Sequence, residues 1–139
     1  MTPAKITSAR DGSEFDLQKT VVALLRFNAK PDVIWYHVPN GEYRSKRTAA
    51  RLKASGVRPG VADIAVVVGG GFARFLELKT RKGRQSVEQK AFQLSCERNG
   101  ALYRIARTPE EAAAILFGWG ALKTNPLAGR VHLTAARAA

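Results

Sequence analysis

Two apolar runs, residues 61–68 and 72–79, flank three consecutive glycines, Gly69, Gly70 and Gly71. Runs of this length joined by residues free to adopt positive φ form a β-hairpin. A central hairpin in turn demands a sheet that other elements cover. With the turn centred on Gly70, antiparallel pairing sets Asp63 directly across from Glu77, on one face with Cβ atoms roughly 4.5–5.5 Å apart. Lys79, two residues beyond Glu77, points to the same face. A slip of one residue would send the two acids to opposite faces.

Carboxylates opposed across strands repel each other. A divalent cation between them reverses the sign, and Mg²⁺ suits the place because it accepts one or two carboxylates while keeping several waters. Without a cation, Asp63 and Glu77 are strand-end charges that reach solvent, with Lys79 as an ion-pair partner.

Local signals predict the elements around the hairpin. Ser13 with Asp16 forms a capping box that opens a helix running to about Asn28. "VIWYHV" (33–38) reads as a strand, and "PNG" (39–41) ends it. Residues 45–55 read as a short basic helix stopped by Gly56. Ser86 and Gln89 open a helix that Gly100 closes, "ALYRIAR" (101–107) is a strand, and Thr108, Pro109 and Glu111 start a last helix ending near Phe117. The expected fold is a mixed α/β domain, a small mixed sheet with a central hairpin flanked by helices, whose 72–107 stretch makes a parallel crossover. Residues 1–12 read as a flexible lead-in, 13–117 as the domain, and 118–139 as a tail that docks on a partner or on the body.

Two helices carry polar residues at the head of apolar stripes: Glu14 and Gln18 before Val21 and Leu25, and Gln89 before Phe92 and Cys96. Either the helix end emerges into water, or Glu14 adds a metal contact while Gln18 and Gln89 bond a phosphate or the attacking water. Cys96 itself reads as a small core residue.

Lys and Arg number 23 against 11 Asp and Glu, a net charge of +12, which fits a polyanionic partner. The charge is clustered. Arg44, Lys46, Arg47, Arg51, Lys53 and Arg58 fall within 42–60, and Arg74, Lys79, Arg81, Lys82 and Arg84 within 74–84. Arg44, Arg47 and Arg51 form one stripe if their segment is helical. His37, at a strand end, either touches a phosphate or packs. A single cysteine, no apolar signal region and no apolar run of about 18 residues point to a cytoplasmic setting, without a membrane partner.

Glu14 with Gln18, "RPGVAD" ending in Asp63, "ELK" (77–79) and "SVEQ" ending in Gln89 together resemble the PD-(D/E)xK nuclease motif, and within it the virus-type replication-repair nuclease domain, VRR-NUC. The resemblance spans about residues 13–117 and includes the 14-residue step from Asp63 to Glu77. Ala62 stands where the motif's proline would be. The resemblance implies a restriction-endonuclease-like core and a Mg²⁺- or Mn²⁺-dependent DNA endonuclease. Asp63, Glu77 and the Leu78 carbonyl would hold the metal, with a second ion near Glu14. Lys79 would orient water or stabilise negative charge, and Gln89 would position the water or phosphate. Gln18, His37, Arg44, Lys46, Arg47, Arg51, Lys53, Arg58, Arg81 and Lys82 would grip DNA. Small stand-alone members of phages and bacteria are homodimers that cut branched DNA such as four-way (Holliday) junctions, which implies a similar substrate, a bacterial or infected-host cytoplasm, and a homodimer; the apolar segment 112–122, with Phe117 and Trp119, is either the surface such a dimer buries or a stretch docked on this chain's own sheet. The other reading is a non-catalytic nucleic-acid-binding module on the same fold.

Overall fold

In the computed structural model, which describes residues 13–39 and 45–129, the glycine-linked runs form the expected hairpin. Strand β2 (Ile64–Val67) pairs antiparallel with β3 (Ala73–Leu78), with Ile64 opposite Leu76 and Val67 opposite Ala73. Gly70 and Gly71 take φ of 95° and 74° in the turn, a backbone region closed to most side chains. Asp63 and Glu77 lie one step past the last pair, in the same register.

The remaining elements follow their local signals. Helix α1 (Glu14–Asn28) and helix α3 (Val87–Arg98) both begin with the full reciprocal capping box, Ser13 with Asp16 and Ser86 with Gln89. Helix α2 (Lys46–Ala54) is capped by Ser45, and α4 (Pro109–Gly118) by Thr108 with Pro109 at its first turn. Strands β1 (Ile34–His37) and β4 (Leu102–Ala106) complete a sheet of order β1-β2-β3-β4. β1 pairs antiparallel with β2, while β4 pairs parallel with β3 through the α3 crossover.

Strand alternation sorts the core into two layers. On one face Ile64, Val66, Leu76, Leu78 and Ala106 pack with Val21 and Leu25 of α1 and Ala112 and Leu116 of α4. On the other, Phe75 and Tyr103 meet Phe92 and Cys96 of α3, with Phe92 edge-on to both rings at 5.0 and 6.1 Å. Glu77 shares the parity of Phe75, so its side chain belongs to the α3 side. Among the described residues, no helix is long and apolar enough to cross a membrane.

Two open readings of the C-terminal part resolve toward the chain's own body. Most of segment 112–122 docks on this chain: Ala112, Ala113, Leu116, Ala121 and Leu122 are buried in its own core, while Phe117 stays 47% exposed. The start of the stretch set apart as a tail also belongs to the body. Leu122 bridges Ala29, Lys30 N–H donates to Ala121 O, and Lys123 N–H donates to Asn28 O at 2.8 Å. Burial of Ala121 and Leu122 drives this docking, and the backbone bonds register it.

Candidate active site

The site begins where the hairpin ladder runs out. Past Ile64 and Leu76, side chains take over from backbone pairing. Asp63 Oδ2 accepts the Leu78 N–H at 2.7 Å. The Asp63 carbonyl accepts the Val38 N–H at 2.9 Å and is 2.7 Å from His37 Nδ1. A carbonyl only accepts, so His37 donates from Nδ1. Asp63 is thus held from β1 and β3 at once.

Opposite it, Glu77 is 2% exposed. One oxygen, Oε1, accepts from Gln89 Nε2 at 3.1 Å; the other, Oε2, is buried with no hydrogen-bond partner. Burial, and then the neighbouring Asp63 carboxylate, push Glu77 from its ordinary 4.5 up to about 9, against the opposing pull of Lys79. In the absence of a cation, this carboxyl therefore carries a proton at neutral pH.

Lys79 is itself 6% exposed, unusual for an ammonium. Its Nζ sits between two acids, 3.9 Å from Glu77 Oε1 and 3.8 Å from Glu14 Oε1. Glu14 thereby joins the site through Lys79. Gln89 is more fully committed than its sequence position conveys: Oε1 accepts the Ser86 N–H at 2.8 Å while Nε2 donates to Glu77. One side chain caps α3 and aims the buried carboxyl. Gln18 is half-buried one turn along α1 from Glu14 and borders a depression on that helix's outer side.

The basic residues fall into three groups. Lys46, Arg47, Arg51 and Lys53 are exposed on α2, which buries none of its residues. Arg44 lies outside the described residues, and because Ser45 is the cap, α2 carries Arg47 and Arg51 of the expected stripe. Arg58 is turned back onto the body, over the Phe92 ring at 5.4 Å and bonded to Ser95 Oγ at 3.3 Å. Arg81 and Lys82 are exposed at the tip of a turn closed by Gly83 N–H to Thr80 O.

Three supporting residues escaped sequence reasoning. Arg107 Nη1 donates to Thr80 O at 2.8 Å and Gly83 O at 2.6 Å, pinning both ends of the Arg81–Lys82 turn. The Tyr103 hydroxyl accepts from Gln85 Nε2 at 3.1 Å, and burial followed by the Glu77 charge pushes its phenol upward. Gly60, at φ 81°, lies so close to the N-terminus of α3 that a Cβ there would stand 2.8 Å from Gln89 N and closer still to the Glu88 carbonyl. The glycine of "RPGVAD" was the only one of the three with a visible signal, a glycine just before the acid.

The donor set suits a hard divalent cation. It offers two convergent carboxyls, one with a buried oxygen that has no donor, and oxygen ligands of this type are those of Mg²⁺ and Mn²⁺. It is not a protein-only cage: among the described residues, no group of three or more His, Cys, Asp or Glu side chains is gathered to hold a metal. An ion here would complete its shell with water, substrate or a backbone carbonyl.

Two solved structures share this fold. A VRR_NUC domain protein aligns with a TM-score of 0.58 at 16% identity, over 75% of this chain and 84% of its own. A second structure, a VRR_NUC domain, aligns with a TM-score of 0.50 at 15% identity, over 74% and 92%. No protein-family model and no curated protein matches the sequence. The chain therefore has the VRR-NUC fold, with its four-stranded mixed sheet between helices.

Proposed function

We propose that this protein is a metal-dependent DNA endonuclease that hydrolyses phosphodiester bonds. The observation that carries the reading is the pairing of Asp63 with a buried, partly unpartnered Glu77 beside the buried Lys79, on a fold shared with proteins named for a nuclease domain.

Asp63, Glu77 and the Leu78 carbonyl would hold Mg²⁺ or Mn²⁺, with Glu14 on the far side of Lys79 for a contact through water. Bound there, the ion supplies Lewis acidity toward the phosphate and an activated water. The chain's own residues do the rest. Gln89 fixes the rotamer of Glu77, and the Leu78 N–H fixes that of Asp63, so the two carboxyls meet the incoming charge without reorganising. Lys79 presents a buried positive charge where the phosphate gains negative charge, and Glu14 keeps the ammonium aimed there. Arg81 and Lys82, exposed on their pinned turn, and the exposed charges of α2 take the flanking phosphates, and His37 steadies Asp63 from behind.

The substrate in this reading is branched DNA such as a four-way junction, cut by a homodimer with one site per strand. A panel of single strands, duplexes, flaps and four-way junctions, with Mg²⁺, Mn²⁺ or chelator, tests it. Cutting that needs the metal and disappears in both Asp63→Asn and Glu77→Gln supports the assignment; cutting that survives both substitutions places the chemistry elsewhere. Metal-independent binding without cutting on every DNA form would instead make the chain a binding module.

A further inference from the structure

We infer that the outer face of α1 is a stacking platform for an unpaired stretch of DNA strand leading into the site. The inference rests on the endonuclease reading and adds to it the substrate feature that the chain recognises next to the cut.

Helix α1 buries Leu17, Val21 and Leu25 against the sheet. Its opposite face is not the polar surface such a helix ordinarily shows. Phe15 is 64% exposed and Phe27 84%. Beside them a depression is lined by Gln18, Lys19, Val22, Ala23, Arg26 and Phe27 itself. Lys19 Nζ lies 4.9 Å from the centre of the Phe15 ring and 3.4 Å from Asp16 Oδ1, which sets a cation over one face of that exposed ring. Two aromatic rings twelve residues apart on a helix stand about 18 Å apart along its axis and about 120° apart around it, at the two edges of the exposed side, with Lys19 and Arg26 between them.

Three arguments select the occupant. Aromatic faces interleaved with Lys and Arg match a nucleic-acid strand, whose bases stack and whose phosphates take the charge. A duplex would not serve, because its bases are already stacked inside the helix and out of reach of Phe15 and Phe27. A second copy of this chain fits poorly: a self-complementary contact centred on this face would set Lys19 of one molecule toward Arg26 of the other, between molecules of net charge +12. The face is also continuous with the site. Gln18 lines the depression and lies one turn from Glu14, which bonds Lys79. A strand that crosses α1 toward its N-terminal end therefore reaches Gln18 and Glu14 at the edge of the site, and the distorted, unpaired part of the substrate is what the platform reads.

The test compares Phe15→Ala/Phe27→Ala with the parent chain, both carrying Asp63→Asn to prevent cutting. Fluorescence anisotropy follows binding to a labelled 20-nucleotide oligothymidine and to a blunt 20-base-pair duplex. Loss of roughly tenfold or more in affinity for the single strand, with duplex affinity within about twofold, is the expected result. Phe15→Trp then reports stacking directly, as quenching of its indole emission by the oligothymidine. Equal losses on both DNAs, no loss on either, or a shift from dimer to monomer in sedimentation would overturn the platform. Separately, cutting of the duplex by the otherwise native chain in Mn²⁺ should be unchanged by the two alanines. Absence of any cutting by the native chain would count against the endonuclease reading alone, since strand binding is measured without it.

Discussion

Asp63 Oδ2 accepts the backbone N–H of Leu78 at 2.7 Å, so the residue that would hold a metal also closes the sheet where its ladder stops. Structure and chemistry are separable there. Asp63→Asn keeps an oxygen for the buried Leu78 N–H and should melt close to the parent while losing cutting. Asp63→Ala leaves that donor without a partner and should cost about 1–3 kcal/mol. Chemical denaturation of both variants beside a cleavage assay checks the split.

Glu77 gives the fold a pH dependence. Its acid form is favoured on folding, so between about 4.5 and about 9 the native chain binds more protons at this site than the unfolded chain. The stabilisation is complete below that window and is lost as pH rises through it. In chelator, the melting temperature should fall from pH 5 to pH 9, and Glu77→Gln should flatten the slope. Added Mg²⁺ at pH 8 should raise the melting temperature of the parent and leave Glu77→Gln unmoved. A parent slope identical to that of the variant would contradict the buried acid.

Gln89 joins a helix cap to the site, and its removal should register in both. Gln89→Ala deletes half of a capping box and the donor to Glu77 Oε1. Stability should drop by about 1 kcal/mol or somewhat more, and metal affinity by roughly 10–100-fold, as for other groups that orient a metal ligand. Titration calorimetry with Mn²⁺ separates the two losses.

Gly60→Ala places a methyl group against the Glu88 carbonyl and Gln89 N and demands a positive φ of an L-residue. The α3 N-terminus must retreat, taking Gln89 with it. The expected result is a clear fall in melting temperature and cutting together, whereas Gly69→Ala, which meets open space, should fold normally.

The exposed charges of α2 should act on DNA without touching the chemistry. Replacing Arg47, Arg51 and Lys53 with alanine should weaken duplex binding and lower the slope of log affinity against log salt by roughly 0.9 for each phosphate that is no longer neutralised. The single-turnover rate at saturating DNA should stay near that of the parent. An unchanged salt slope would remove α2 from the interface.

Much of this architecture was legible along the chain because its signals are local. Ser13–Asp16, Ser86–Gln89 and Thr108–Pro109 mark helix starts through bonds made within one turn. The three glycines set the hairpin register that aligns Asp63 with Glu77, since strand parity leaves no choice once the turn is centred. The functions of Arg107 and Tyr103 were not legible. Each depends on a partner 27 and 18 residues away, respectively. The docking of Ala121 and Leu122 was open for the same reason: composition marks them as apolar without saying which surface they cover.

The sequence by itself determined the order of helices and strands, the pairing of the hairpin, and which residues could meet at its open end, because capping, turn geometry and side-chain alternation act between near neighbours. Only the tertiary structure decided that Glu77 and Lys79 are buried together, that Glu14 reaches the lysine from another helix, and that Gln89 donates to the buried carboxyl. Burial and the charge of a neighbour belong to no single segment. They arise when α1, α3 and the sheet close over one another, and closure turns an ordinary carboxyl into one that holds its proton at neutral pH.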